Sequence, residues 1–435
     1  MRACRAWAIA AALSLVSGVL ALPAQGQAQD RWVSAWGTAQ QLAPMTPPRL
    51  PPRPAGEAAA ALPAPPPPPP QIPPTPDTLE DQTVRMIVRP TIGGQMVRLQ
   101  FSNAMGGDPV TIARAQLAKS AGGSAIAPDS DRPIRFGGAS TVTIQPGAVA
   151  VSDPIALEIA PFELLAVSIH FRQRTAVNTL HPLGLRQTYV ARGDRTSAAA
   201  LADATVNRSY FWLTGLEVRA SAEAGTIIAF GDSITDGFAT TPDAGRAWPD
   251  LLANRLQADA RTRHLSVINM GISGNRLRRD GAGLSALARF DRDVLARPGV
   301  RWVILLEGIN DINFAAIPGM PASEAVTAED LIAAYRTFID RAHLHGIKVM
   351  GATLAPTEGL ALYSAQTEAL RQAVNHWIRT SGRFDAVVDF DAVLRDPARP
   401  TRLNPTFDPG DHVHPNDAGN AAMAAAIDVA RLLRD

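Results

Sequence analysis

Residues 226–237 read TIIAFGDSITDG. The first five are apolar or β-branched, the composition of a buried strand. At Gly231 the character changes within one residue. A glycine, which permits a tight backbone turn, leads into Asp232, Ser233, Ile234, Thr235, Asp236 and Gly237. A strand that stops on such a run places a serine hydroxyl at the mouth of a sheet, near the start of a helix.

The pattern repeats downstream. Candidate strands lie at LSVIN (265–269), RWVILLE (301–307), IKVMGAT (347–353) and DAVVD (385–389). Helix-length amphipathic segments lie near 246–260, 284–296, 328–345 and 365–381, with a last helix over about 417–433. Such alternation implies an α/β unit, a parallel sheet covered by helices on both faces. Ligands bind these sheets beyond the carboxyl ends of the strands. The second strand runs into Asn269-Met270-Gly271-Ile272-Ser273-Gly274-Asn275, and the third into Glu307-Gly308-Ile309-Asn310-Asp311. Asp411-His412-Val413-His414-Pro415-Asn416 precedes the last helix.

These residues fit one chemistry. A serine hydroxyl is a weak nucleophile until a base takes its proton. His414 is the expected base, because imidazole titrates near neutral pH. Asp411, three residues earlier, is expected to accept the other ring N–H, fixing the tautomer and supporting the imidazolium. The oxyanion of a tetrahedral intermediate needs donors. The backbone N–H groups of Ser233 and Gly271 and the side-chain amide of Asn310 are the expected three.

Four segments, in order, resemble the four blocks of the SGNH, or GDSL-type, hydrolase superfamily: FGDSITDG with Ser233, NMGISGN with Gly271, GIND with Asn310, and DHVHP with Asp411 and His414. The resemblance covers 223–435. It implies a flavodoxin-like three-layer α/β/α sandwich and a serine esterase that needs no metal or organic cofactor. The run from Asn269 to Asn313 is similar to the branch containing acetylxylan-esterase-like enzymes. That implies removal of acyl groups, often acetyl, from carbohydrate; related members take short acyl, aryl or lipid esters at the same site. The branch often carries an upstream β-domain, and WVSAWGTAQ (32–40) and VRLQFSNAMGG (97–107) resemble its opening segments. The serine is not in a G-x-S-x-G pentapeptide, which disfavours the α/β-hydrolase fold.

Upstream, residues 30–222 read as an all-β, sandwich-like domain. Short apolar runs separated by turn residues recur from 82 to 220 without helical patterns between them. In QTVRMIVRPTIGGQMVRLQF (82–101), Val84, Met86 and Val88 alternate, as do Val97, Leu99 and Phe101, and Gly93-Gly94 between them suggests a hairpin. Residues 43–76 interrupt this domain with a proline-rich stretch that includes Pro65 to Pro70 in succession. Proline lacks the backbone donor and fixes φ, so an extended spacer is expected there.

Residues 1–28 read as a signal peptide, with Arg2 and Arg5, an apolar run from Ala6 to Leu22 and small residues at Ala24, Gly26 and Ala28. A secreted or periplasmic protein is expected, with no stable membrane insertion after cleavage. The only cysteine, Cys4, lies in that segment, so the mature chain has no basis for a disulfide framework, a thiol nucleophile or a cysteine metal site. Basic and acidic residues number 41 and 40, and no basic run stands out, so the expected partner is an acylated small molecule or polysaccharide rather than nucleic acid.

Blander roles compete at each position. Ser273 is a rival serine whose ordinary role is turn hydrogen bonding. His412 competes with His414, and Asp411, His412 and His414 together have the composition of a zinc site, although that leaves the serine and the oxyanion donors unexplained. Asn416 suits the cap of the last helix, which frees Asp411. Asp311 reads as a loop brace, Glu307 as a pocket or backbone-binding residue, and Arg276, Arg278 and Arg279 as a solvated face. Trp32, Trp36 and Trp212 read as core before sugar platform, and His170 and His181 as structural. A carbohydrate-binding protein without activity is the reading from another class.

Overall fold

The computed structural model describes residues 30–42 and 75–433. The expected signal peptide and residues 43–74 of the proline-rich stretch lie outside them. No helix among the described residues is long and apolar enough to cross a membrane.

The parallel sheet has five strands: Gly225–Gly231, Leu265–Gly271, Val300–Leu306, Lys348–Ala352 and Ala386–Val388. Their spatial order is second, first, third, fourth, fifth. This is the flavodoxin-like order, in which the winding reverses beside the first strand and a crevice opens at its carboxyl end. Ile227 to Phe230 and Val303 to Leu306 are buried without alternation, as strands covered on both faces require. Phe230 meets Phe338 of helix Ala328–Leu344, which in turn meets Phe290 of helix Ala286–Phe290. Helix Trp248–Ala258 packs with Asp417–Ala426, and its Trp248 meets Phe390 of helix Phe390–Leu394.

Helix starts follow from local chemistry. Thr327 with Asp330, and Ser364 with Thr367, form capping boxes. Asn416 Oδ1 accepts from the N–H groups of Ala418 and Gly419, so the last helix is capped without Asp411. That helix ends at Ala426, short of the expected 433, because Ile427 is extended and the Arg255 guanidinium takes the carbonyls of Ala424 and Ile427. The GIND run, read as a loop, opens a helix, Ile309–Ala315, after Gly308 at φ 118°.

The N-terminal region is antiparallel. One sheet contains Arg31–Gly37, Gly94–Ser102 and Leu213–Ala220; another contains Gln82–Val88, Arg114–Gly122, Leu165–Phe171 and Thr188–Arg192. Val84, Met86 and Val88 of one sheet share a core with Val97, Leu99 and Phe101 of the other, which makes a sandwich. The expected hairpin across Gly93-Gly94 is therefore corrected. Its two strands do not pair with each other but cross from one sheet to the other. The link through Pro90 and Thr91 is buried, with Thr91 N–H donating to Ala35 O, and both apolar faces reach the same core from opposite sides. Trp212 is buried in that core against Phe171, while Trp36 packs on Tyr210 and Trp32 on Arg98.

This region docks on the edge strand of the parallel sheet. Ser266 Oγ donates to Ser34 O at 2.6 Å, and Thr91 Oγ1 both donates to Val267 O at 2.9 Å and accepts from Val267 N–H at 3.0 Å. An edge that would otherwise offer unpaired backbone groups is thereby covered.

Candidate active site

Three strand ends and the 411–416 loop converge. Asp232 caps the short helix Ser233–Asp236 by accepting from Ile234 N–H at 3.0 Å. Ser233 is the first residue of that helix, so its own N–H has no intrahelical acceptor. Its hydroxyl lies 2.8 Å from His414 Nε2, and its residue exposure is 8%. His414 Nδ1–H donates to Asp411 Oδ2 at 2.8 Å.

Local chemistry explains the Asp-x-x-His spacing. Asp411 Oδ1 accepts the N–H groups of Val413 and His414 at 3.0 and 2.9 Å, closing an Asx turn that leaves Oδ2 for the ring. Burial alone would raise the Asp411 carboxyl, but its hydrogen bonds and charge attraction with His414 outweigh that and hold it below the usual carboxylate range. His412 turns away, donating Nδ1–H to Asp408 Oδ2 at 2.6 Å. Both nitrogens of His414 and the carboxylate of Asp411 are thus committed to one serine–histidine–aspartate chain, not arrayed around a common point with His412.

The N–H groups free to serve as oxyanion donors differ from expectation at one position. Asn310 Nδ2 donates one hydrogen to Asn275 O at 2.9 Å, and an amide nitrogen has a second. Gly271 N–H, expected to be a donor, is taken by Asn269 Oδ1 at 2.9 Å. Gly271 serves close packing instead: a Cβ there would run into the backbone of Asp236. Gly274, three residues on, has an N–H with no acceptor among the described residues. It lies between Ser273, bonded to Asp236, and Asn275, bonded to Asn310. Both glycines sit in one glycine-rich run, and it is Asn269 Oδ1 that takes the Gly271 N–H and leaves the Gly274 N–H free.

Ser273 donates its N–H and its hydroxyl to Asp236 Oδ2 at 2.9 and 2.7 Å, the turn role expected of it. Asp311 braces the neighbouring loop by accepting from Leu277 N–H at 2.6 Å and Arg278 N–H at 3.2 Å. Arg276 pairs with Glu324 at 2.7 Å in a largely buried position, and Arg278 with Asp330 at 3.2 Å in a more exposed one. Phe238, 44% exposed, leans over the His414 ring at 4.4 Å between centroids. Neither Phe238 nor Arg289, which ties the strand ends together from beneath, stood out in the sequence: an exposed phenylalanine and a helix arginine have no local signature of such roles.

Behind the serine lies a buried acidic pair. Asp232 Oδ2 and Glu307 Oε2 have no hydrogen-bond partner among the described residues. Burial pushes the Asp232 carboxyl up to about 7, and burial next to Asp232 holds Glu307 well above its ordinary range despite Arg289. An unfolded aspartate titrates near about 3.9, so between that value and about 7 the folded state binds the extra proton. The stabilising contribution of Asp232 is therefore full below that window and is lost as pH rises through it. Asp232→Asn keeps an acceptor for Ile234 N–H and removes the titration. Thermal midpoints of the variant are expected to fall less than those of the parent between about pH 5 and pH 8; equal falls would refute the assignment.

A doubly wound sheet bearing this site at its switch point defines a class, the carboxylic-ester hydrolases. Residues 229–422 match the GDSL-like Lipase/Acylhydrolase family, and over those residues the chain carries a domain of that family. Similar solved structures include an acetyl-xylooligosaccharide esterase variant from Geobacillus (24% identity, 46% of this chain and 91% of that one, TM-score 0.38). Others are an alpha/beta hydrolase enzyme from the metagenome of Lake Arreo, Spain (24%, 49% and 98%, 0.38) and an acetyl xylan esterase (23%, 47% and 98%, 0.36). No curated protein matches the chain.

Proposed function

We propose that this protein is an exported serine esterase that removes O-acetyl groups from carbohydrate through an acyl-enzyme on Ser233. The observation that carries the reading is the continuous chain from Ser233 Oγ through His414 to Asp411, at 2.8 Å on each side of the ring. Ser233 Oγ attacks the ester carbonyl while His414 Nε2 takes its proton. The tetrahedral oxyanion is met by the N–H groups of Ser233 and Gly274 and by Asn310 Nδ2. His414 then returns the proton to the departing alcohol oxygen, and the acyl–Ser233 ester forms as the C–O bond to that alcohol breaks. Water, deprotonated by the same imidazole, attacks this ester; His414 returns that proton to Ser233 Oγ as its bond to the acyl carbon breaks, and the carboxylic acid leaves.

The carbohydrate assignment rests on the sequence likeness of residues 269–313 to the acetylxylan-esterase-like branch, and export rests on the composition of residues 1–28. One observation favours a second reading, an esterase for aryl or short apolar acyl groups: the exposed Phe238 ring at the mouth of the site. Acetate release from acetylated xylan, pectin and mannan fragments, beside aryl esters of increasing acyl length, separates the two. The carbohydrate reading expects release from at least one polysaccharide and a steep fall beyond short acyl chains. Efficient turnover of long-chain esters with none on the polysaccharides would overturn it.

A further inference from the structure

His181 belongs to the antiparallel region, in the strand Thr179–His181, yet its ring reaches the helix that carries Ser233. Nδ1 lies 2.8 Å from Ala39 O, and Nε2 lies 3.0 Å from Asp236 Oδ1 and 3.1 Å from Leu183 O. His181 is 3% exposed and Asp236 is 3% exposed. Every neighbour of both ring nitrogens is an acceptor. A neutral imidazole would turn one lone pair toward an acceptor at a buried site, so the arrangement calls for a proton on each nitrogen.

Asp236 in turn holds the glycine-rich loop. Its Oδ2 accepts both the N–H and the hydroxyl of Ser273, the residue before Gly274. Asn269 donates to Thr235 O at 2.8 Å from the start of the same loop. The path from the N-terminal region to the candidate oxyanion donors is therefore three consecutive contacts: His181 to Asp236, Asp236 to Ser273, and Ser273 to Gly274 through the chain.

We propose that His181 is a positioning residue for the reaction: as an imidazolium it fixes Asp236, and through Asp236 the Ser273-Gly274 turn, so the β-rich region sets the geometry of the oxyanion donors. This rests on the reading of Ser233 as nucleophile. Burial by itself would favour the neutral ring, but the Asp236 carboxylate and the carbonyls of Ala39 and Leu183 outweigh it and hold the imidazolium above the ordinary histidine range. The other charged groups around the cavity beside it are Arg89, Arg186, Arg246 and Asp250, and Tyr210 stacks on the ring. Arg89 is paired with Asp250 at 3.3 Å, which leaves Asp236 as the anion in contact with His181. As pH rises through the raised value the ring becomes neutral, one of its nitrogens turns a lone pair toward an acceptor, and the charge attraction that fixes Asp236 is lost. The parent is thus expected to lose kcat on the alkaline side.

The test uses the full chain and His181→Gln, which keeps one donor and removes the charge. Nitrogen-15 histidine spectra of the parent at about pH 8, well above the ordinary histidine value, should show two ring N–H signals that vanish in the variant. With an aryl acetate, the variant should lose about tenfold in kcat with KM within about twofold, because geometry and not substrate binding is perturbed. Its blank-corrected kcat should also lack the alkaline fall of the parent. A purely structural histidine would lower the thermal midpoint and leave both the pH profile and the kcat of the folded fraction unchanged. If the variant does not fold, the ring signals and the pH profile of the parent decide alone. One ring N–H in the parent at about pH 8, or no alkaline fall in its kcat, overturns the proposal. Full turnover by Ser233→Ala would instead remove the esterase mechanism, and the spectra would still report the charge on His181.

Discussion

Ser233→Ala is expected to lower kcat for an acetate ester by about 10⁵-fold while leaving the fold intact. The two halves of that statement have different origins. The hydroxyl is the atom that forms the acyl bond, and nothing within reach replaces it, since Ser273 spends its hydroxyl on Asp236. Structurally the loss is small: one hydrogen bond to His414 at a partly open position, worth about 1 kcal/mol, with the helix cap supplied by Asp232 instead. The thermal midpoint should therefore stay close to that of the parent. His414→Ala should cost about as much, and the double variant little more than either, because the two residues act as one unit. Asp411→Asn should cost about 10⁴-fold by another route. An amide turned to donate to Nδ1 would hold the proton on Nε2, where it cannot receive one from Ser233. Stopped assays of purified, folded variants check the series, and turnover by Ser233→Ala near the parental rate would end the esterase reading.

Arg289→Met should destabilise the α/β unit by about 3–5 kcal/mol, lowering its thermal midpoint by about 10 °C. Arg289 is fully buried. Its Nε donates to Asn275 Oδ1 at 2.9 Å, Nη1 to Met270 O at 2.7 Å and Nη2 to Gly231 O at 3.0 Å. It also faces Asp293 at 3.2 Å and Glu307 at 3.4 Å and lies over the Phe230 ring at 3.7 Å. A single guanidinium thus ties together the carboxyl ends of the first three parallel strands. Methionine fills much of the volume but removes the Arg289 donors to Met270 O and Asn275 Oδ1, while Gly231 O keeps Ile272 N–H at 3.0 Å. Asp293 retains Arg292 at 2.7 Å; Glu307 loses the one cation paired with it among the described residues. Arg289→Lys should fall between, since a point charge cannot serve acceptors spread around a planar fork. Denaturant unfolding of the three proteins measures this, and a loss below about 1 kcal/mol for the methionine variant would mean that the network contributes little.

Much of the α/β unit was legible because its signals are local. Apolar runs at TIIAF and RWVILLE, the cap at Asn416 and the Asp411-x-x-His414 spacing all act within a few residues, and the five parallel strands appear close to where they were expected. The hairpin at Gly93-Gly94 was misread for a corresponding reason. Two alternating strands joined by glycines look the same whether they pair with each other or face each other across a core. Gly271 was expected to donate because nothing within the run shows that the Asn269 side chain captures its N–H.

The amino-acid sequence alone determined the strand–helix alternation, the candidate serine, imidazole and carboxylate, and the change from an all-β pattern to alternating strands and helices at about residue 223. Those follow from hydrophobic period, turn chemistry and short-range hydrogen bonding. The tertiary structure decided which amides remain free, how Arg289 joins three strand ends, and that His181 reaches Asp236 across 55 positions of chain. Such pairings depend on burial and on partners distant in sequence, where desolvation makes a contact strong and no local pattern announces it.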